Sequence, residues 1–130
     1  MILLDTNIIV DCWRNPAEEA RLRAIRQAPC ICGVVLAELL YGASNEREAV
    51  GMQEALSAFQ LLETYPDIWR CLGMNLAALR RAGLVIPLPD VLLATMAIEH
   101  NVQLWSRDKH FVRMQQVLPS LQLYKPETES

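Results

Sequence analysis

The sequence lacks any apolar stretch long enough to cross a bilayer. A membrane-spanning helix needs about 20 predominantly apolar residues. Although 52% of the 130 residues are hydrophobic, polar or charged side chains interrupt every run well before that length. The first residues also lack the basic segment and the small-residue cleavage site of a secretory signal. We therefore expect no membrane association and a cytoplasmic protein.

Lysine and histidine are scarce. Two of the twelve basic residues are lysines, and the formal net charge is −3. This balance argues against binding nucleic acid through bulk positive charge, although arginines suit local contacts with phosphates or carboxylates. The two histidines, His100 and His110, lie far along the chain from the close pair Cys30 and Cys32. We therefore expect no zinc site, and we predict that the four cysteines are free thiols.

Short apolar runs alternate with helical segments along the whole chain. Residues 1–4 lack the alternation of a half-exposed strand and suit a strand that is buried on both faces. Such an order predicts an α/β fold, with a mainly parallel central sheet of four to five strands flanked by helices. We expect one domain over residues 1–125, followed by a polar tail over 126–130. Strands are predicted at 1–4, 30–32, 59–63, 102–106 and 121–124, and helices at 17–28, 34–43, from 46 into the fifties, 67–83, 87–101 and 107–116.

Four acidic residues fall where such a sheet would place a site. Ligand sites of open α/β sheets lie beyond the carboxyl ends of the strands. Asp5 follows the first strand, Asp108 follows the strand at 102–106, and Asp90 begins the helix that leads into that strand. Glu38 stands in a helix with apolar residues on every face, which predicts partial burial of its carboxylate.

Each of these acids also has a purely structural explanation. Asp is a favoured residue at helix N-termini, so Asp5, Asp90 and Asp108 could each cap a helix, and Glu38 could extend into solvent. Capping does not explain why four carboxylates would face one crevice. Because carboxylates repel one another, a hard cation such as Mg²⁺ or Mn²⁺ is the natural ligand for such a group. A cation site is the favoured interpretation, and helix capping is the alternative.

The same residues carry a resemblance to a known family. The opening "LLDTNIIVD", the segment "LAELLYGA" and the segment "PDVLLATMAIEHNVQLWSRDKHF" resemble PIN-domain ribonucleases. More narrowly, they resemble the VapC-type toxins of bacterial toxin–antitoxin modules, over residues 1 to about 123. The resemblance implies that Asp5, Glu38, Asp90 and Asp108 are the catalytic residues and metal ligands.

The resemblance also assigns roles to residues around these acids. Thr6 and Asn7 would orient the first acid, and Ser106 takes the place of a frequent threonine before the last one. Asp11 fits the opening motif and is expected to be structural. Arg107 and Lys109 flank Asp108, and we predict that they contact the substrate.

The activity implied by the resemblance is endonucleolytic cleavage of single-stranded or looped RNA. The cofactor would be Mg²⁺, with Mn²⁺ as an alternative, and it would activate a water molecule for attack on phosphorus. The implied partners are an antitoxin peptide that covers the acidic cleft, through an arginine, and a second copy of the chain. Trp13 and Trp69 could contribute to that homodimer or could equally belong to the core.

Two other functions are considered. A phosphotransferase of the haloacid-dehalogenase type also has an aspartate after its first strand. It usually requires a second aspartate two residues later, where this chain has Asn7, and no downstream lysine is evident. The other alternative is an interaction module without catalysis, which would bind a basic peptide and leave RNA intact.

Overall fold

Four short parallel strands form the centre of the molecule. A computed structural model describes residues 1–126, and the outermost residues 127–130 of the expected tail lie outside this range. The strands β1 (Ile2–Leu4), β2 (Pro29–Cys32), β3 (Gln60–Leu62) and β4 (Gln103–Trp105) pair in the order β3-β2-β1-β4. All pairings are parallel. The predicted α/β fold with a mainly parallel sheet is confirmed.

Within residues 1–126, seven helices surround this sheet. None of them is both long and apolar enough to span a membrane. The helices are α1 (Thr6–Arg14), α2 (Pro16–Arg23), α3 (Gly33–Tyr41), α4 (Glu46–Leu56), α5 (Asp67–Arg81), α6 (Leu88–Glu99) and α7 (His110–Val117).

Local sequence signals explain where several helices begin and end. The side chain of Asn15 accepts a hydrogen bond from the backbone N–H of Ala17 at the start of α2 (3.0 Å), and Asn45 caps α4 in the same way. Gly83, just past the end of α5, has φ +80°. This left-handed conformation is accessible to glycine at little cost, so it allows the chain to leave the helix sharply.

Two predicted helices are shorter than expected. The helix predicted at 17–28 ends at Arg23. The carbonyl of Ala28 accepts a hydrogen bond from the N–H of Ile2, and a residue that precedes a proline disfavours helical backbone. The helix predicted to begin at 107 begins at His110 instead, because residues 106–109 form a loop at the end of β4.

The predicted fifth strand at 121–124 is only a single bridge. Leu123 pairs with Leu104 of β4, through hydrogen bonds that Leu104 makes with Gln122 and Tyr124. The next bond of this parallel ladder, from the N–H of Ser106 to the carbonyl of Tyr124, does not form, and the bond after it would need an N–H at position 126, where proline has none. The sheet therefore has four strands among the described residues.

The topology reverses between β1 and β4. From β1 the chain proceeds outward to β2 and then to β3, and it returns through α5 and α6 to place β4 on the other side of β1. This is the position at which open parallel sheets form a crevice. The residues of β1 are fully buried, and α6 is buried along 91–97 apart from one residue. Rigid core elements therefore support both sides of the crevice.

Candidate metal centre and active site

The carboxyl ends of β1 and β4 lie side by side at the reversal of the sheet. The backbone N–H of Asp5 donates to the carbonyl of Trp105 at 3.0 Å. The residues that follow the two strands, Asp5 and Ser106, are therefore held next to each other although 101 positions separate them.

Both carboxylate oxygens of Asp5 accept hydrogen bonds. Oδ1 accepts from the backbone N–H of Thr6 at 2.7 Å, and Oδ2 accepts from Ser106 Oγ at 2.6 Å and from Asn7 Nδ2 at 3.4 Å. Asp5 is also the N-cap of α1. Asp5 therefore caps a helix, as the alternative explanation expected, and it also lies in the acidic crevice. These contacts fix the orientation of a carboxylate that is only 8% exposed.

Asp90, Asp108 and His110 form a compact cluster beside Asp5. His110 Nδ1 lies 3.3 Å from Asp90 Oδ2 and 3.5 Å from Asp108 Oδ1. One ligand atom from each of the three residues lies within 4.8 Å of the other two. The carboxylates of Asp90 and Asp108 come from α6 and from the loop after β4, so they meet only because the fold brings these elements together.

The capping alternative has different outcomes for these two aspartates. Asp90 lies in the first turn of α6, but the N-cap position is Pro87 and no side chain caps this helix, so capping is not its role. Asp108 Oδ1 accepts a hydrogen bond from the N–H of His110 at 2.9 Å. Asp108 therefore stabilises the start of α7 with one oxygen, although the N-cap position itself is Lys109.

Glu38 lies at the exposed mouth of the crevice. As a whole residue Glu38 is exposed, because Val35 and Leu39 of α3 turn into the core, but its carboxylate keeps part of the burial that its apolar neighbours predicted. Thr6 Oγ1 donates to Glu38 Oε1 at 3.2 Å. This hydrogen bond links the fourth acid to the residue that follows Asp5.

The four acids share one electrostatic environment. Burial raises the pKa of Asp5 above its usual value, and the negative charges of Asp90 and Asp108 raise it further, against the hydrogen bonds that favour the carboxylate. Loss of solvation also raises the pKa of Glu38, with added repulsion from Asp5 and Asp90. Raised carboxyl pKa values from mutual repulsion are typical of sites that a cation neutralises.

The two predicted substrate contacts have different surroundings. Arg107 forms ion pairs with Asp11 and with Glu18, the latter at 2.8 Å. Its guanidinium group therefore faces two carboxylates of the protein. Lys109 is exposed at the end of the same loop, and among residues 1–126 its side chain has neither an ion pair nor a hydrogen-bond partner.

His110 is the site residue that the sequence reasoning missed. Its distance in sequence from Cys30 and Cys32 argues against a zinc site with the cysteines but not against a place beside carboxylates. The pattern "RDKH" contained the necessary signal, because His110 is two residues after Asp108. A residue just inside a helix, following a loop that carries an acid, can turn back toward that acid, as the contact between His110 and Asp108 shows.

The donor set fits a divalent cation. Carboxylate oxygens are the preferred ligands of Mg²⁺ and Mn²⁺, and the imidazole nitrogen of His110 adds a donor that transition metals also accept. The cluster is partly open, with side-chain exposures of 25% for Asp90 and 35% for Asp108, so a phosphate group has access to it. A divalent cation held there could assist a reaction at phosphorus.

Comparison with known proteins identifies the class to which this fold and site belong. The sequence profile of the PIN domain matches residues 2–117. The chain therefore belongs to the PIN-domain family, and the resemblance noted in the sequence is confirmed.

Within this family the chain is similar to VapC ribonucleases. It is 32% identical over 95 residues to Ribonuclease VapC17 of Mycobacterium tuberculosis, covering 71% of each chain. It is 31% identical over 112 residues to Ribonuclease VapC51 of the same organism, covering 84% of this chain and 81% of that protein. In the structure of VapBC2 from Rickettsia felis bound to a promoter DNA fragment, one chain superposes with a TM-score of 0.82 at 28% identity, covering 95% of this chain and 98% of that one.

Proposed function

We propose that this protein is a Mg²⁺-dependent endoribonuclease that acts as the toxin of a toxin–antitoxin module, with Mn²⁺ as an alternative cofactor. The observation that carries the proposal is the convergence of Asp5, Glu38, Asp90 and Asp108 at the reversal of a parallel sheet, in a chain similar to VapC ribonucleases. RNA cleavage would take place in the cytoplasm, where the substrate is found.

Each residue of the site has a proposed role. Asp90 and Asp108 would hold the cation together with Asp5, and His110, whose Nδ1 lies between the two carboxylates, would add a nitrogen ligand. When bound, a divalent cation supplies activation of water and neutralisation of charge on the phosphate. Glu38, at the open side, is placed to bind the cation or to orient the attacking water.

Neighbouring residues would orient these groups and the substrate. Ser106 and Asn7 hold the Asp5 carboxylate, and Thr6 holds Glu38. The exposed ammonium group of Lys109 is the proposed contact for an RNA phosphate near the cluster. The proposed mechanism uses an activated water molecule and requires no protein nucleophile.

The proposed protein partners are an antitoxin and a second copy of the chain. Solved relatives are VapBC complexes from Rickettsia felis and Haemophilus influenzae, which supports an antitoxin that covers the acidic cleft. An arginine of that peptide would pair with the exposed carboxylates. Trp13 and Trp69 are 42% and 56% exposed, so both are surface residues that are available to a homodimer interface.

Cleavage of RNA by the purified protein tests this function. We expect cutting with Mg²⁺ or Mn²⁺, products with a 5′-phosphate, and no cutting in EDTA. Asp90→Asn should abolish cleavage without unfolding the chain, because Asp90 caps no helix. The matched control is Asp67→Asn, which changes an exposed aspartate in the first turn of α5, and it should cut as the parent does.

Two outcomes would contradict the proposal. Undiminished cleavage in EDTA would exclude the metal mechanism. Intact RNA under all conditions, together with tight binding of a basic peptide to the acidic cleft, would favour an interaction module without catalysis.

A further inference from the structure

Arg107 connects the loop after β4 to two helices. Its backbone N–H donates to Asn7 Oδ1 at 3.3 Å. Its guanidinium group pairs through Nε with Asp11 on α1 and through Nη2 with Glu18 on α2, at 2.8 Å for the second pair. The partners are 100, 96 and 89 positions away in sequence. One residue therefore joins three separate parts of the chain.

The connection acts on the two residues next to Arg107. Ser106 donates to Asp5 at 2.6 Å, and Asp108 contributes a carboxylate to the cluster with Asp90. The loop that carries them contains no helix or strand among residues 106–109. Its position relative to the rest of the site depends on contacts such as those of Arg107.

Two of the residues that bind Arg107, Asn7 and Asp11, lie on the helix that begins at the first acid of the site. Asn7 and Asp11 are four residues apart on α1 and therefore lie on the same face, and Asp5 caps the N-terminus of that helix. Bonds from Arg107 to this face act together with the Ser106–Asp5 hydrogen bond to hold the loop beside Asp5. A shift of the loop would move Asp108 relative to Asp5 and change the cation site.

We propose that Arg107 is a positioning residue, which holds Ser106 and Asp108 in place for cation binding through its ion pairs with Asp11 and Glu18. This inference rests on the proposed function, since it concerns the cation and the RNA of the same site. It replaces the expectation from sequence that Arg107 contacts the substrate.

The charges around Arg107 favour this role over phosphate binding. A phosphate would have to compete with two carboxylates that already pair with the same guanidinium group. The Glu18 side chain is only 19% exposed, and ion pairs strengthen as solvent is removed. Lys109, two residues further along the chain, is exposed and is free to bind a phosphate.

The test compares Arg107→Ala with Lys109→Ala in two binding assays. Affinity for Mn²⁺ is measured by electron paramagnetic resonance of the free ion. Binding to a fluorescein-labelled single-stranded RNA is measured in EDTA across a series of salt concentrations. We expect Arg107→Ala to weaken Mn²⁺ binding about tenfold or more, as removal of a group that orients metal ligands typically does, with an unchanged salt slope for RNA. Lys109→Ala should lower the salt slope by about 0.7 and leave Mn²⁺ affinity unchanged.

Two further variants separate positioning from a general loss of structure. Glu18→Gln removes the negative charge of one partner of Arg107 without altering the loop, and it should weaken Mn²⁺ binding in the same direction but by less. Arg107→Lys keeps the charge but lacks the planar fork, so it should recover only part of the Mn²⁺ affinity. Circular dichroism and thermal melts establish that each variant is folded.

The results that overturn the inference differ from those that overturn the proposed function. Arg107→Ala with parental Mn²⁺ affinity overturns the positioning role, whether the melting temperature falls or the RNA salt slope falls instead. If the parent binds neither Mn²⁺ nor RNA, the proposed function itself is wrong. Because Mn²⁺ affinity is measured without catalysis, the two failures are distinguishable.

Discussion

Replacing Asp90 by asparagine should stabilise the protein when no cation is bound. Oxygens of Asp90 and Asp108 lie within 4.8 Å of each other. At that separation two unit charges repel by about 3.5 kcal/mol at an effective dielectric constant of 20 and by about 1 kcal/mol in water. The side chains are 25% and 35% exposed, so screening places the repulsion in the lower half of this range. Asp90→Asn removes it and keeps the shape of the side chain.

The expected gain in EDTA is about 1 to 2 kcal/mol in the free energy of unfolding. For a chain of this size, 1 kcal/mol corresponds to about 3 to 5 °C in melting temperature. Melting curves in EDTA at a single mildly alkaline pH should therefore place Asp90→Asn about 3 to 10 °C above the parent. Urea titrations at constant temperature provide an independent measurement of the same difference.

Added Mg²⁺ should offset most of this difference. A ligand at 100 times its dissociation constant stabilises the native state by about 2.7 kcal/mol. If the loss of one carboxylate weakens binding tenfold, the variant gains about 1.4 kcal/mol less than the parent does. Asp67→Asn is the control, because Asp67 is an exposed acid that pairs with Arg70 away from the site. It should gain as much from Mg²⁺ as the parent.

This reasoning would be refuted if Mg²⁺ raised the melting temperatures of the parent and of Asp90→Asn equally and if the variant melted no higher than the parent in EDTA. Asp90 would then be an ordinary acid of a helix first turn, where a negative charge stabilises the helix by less than about 1 kcal/mol. If the melting temperature of Asp90→Asn rises in EDTA but Mg²⁺ shifts both proteins equally, the repulsion between the two carboxylates is supported. Asp90 is then excluded as a ligand of the cation.

Three further predictions concern other parts of the chain. Ser106→Ala removes a 2.6 Å hydrogen bond to the Asp5 carboxylate and should cost about 1.5 to 3 kcal/mol in urea unfolding; a loss below about 0.5 kcal/mol would contradict this. Gly83→Ala should destabilise by about 1 to 2 kcal/mol, because φ there is +80°. Gly73→Ala, inside α5 with open space around it, should stabilise. If both substitutions changed the free energy of unfolding in the same direction, backbone strain at Gly83 would be excluded. Burial raises the pKa of Cys30 from 9.0 to about 11, so its thiol stays protonated in the native state after it has ionised in the unfolded chain. The free energy of unfolding should therefore fall between pH 9.0 and pH 11, and it should fall less in Cys30→Ala; identical pH profiles would show that this thiol does not contribute.

Local patterns in the sequence were sufficient for most of the fold. The apolar run at 1–4 predicted a strand covered on both faces, and the residues of β1 are fully buried. Gly83 predicted the end of α5, and its positive φ shows why glycine is suited to that position. These features depend on residues close together in the chain, so composition and periodicity reveal them. The strand predicted at 121–124 was wrong because only Leu123 pairs with β4, and the local apolar pattern does not show how far pairing with another element extends.

The order of the elements also indicated which acids would meet. A parallel sheet brings the ends of its strands to one edge, so Asp5 and Asp108 were expected to be neighbours, and the charge of Asp108 raises the pKa of Asp5. The sequence could not determine how exposed Glu38 is, since apolar residues on every face of α3 conceal which face turns toward the core. That depends on the packing of α3 against the sheet.

The tertiary structure alone decided the partners of the charged side chains. Nothing in the sequence distinguishes Arg107 from Lys109 beside Asp108, yet one pairs with Asp11 and Glu18 whereas the other extends into solvent. The physical reason is range. Helices, strands and caps arise from interactions within a few residues, and the sequence displays them directly. Ion pairs and ligand clusters join residues about 90 to 100 positions apart, and only the packed chain determines which of the available charges come within hydrogen-bonding distance.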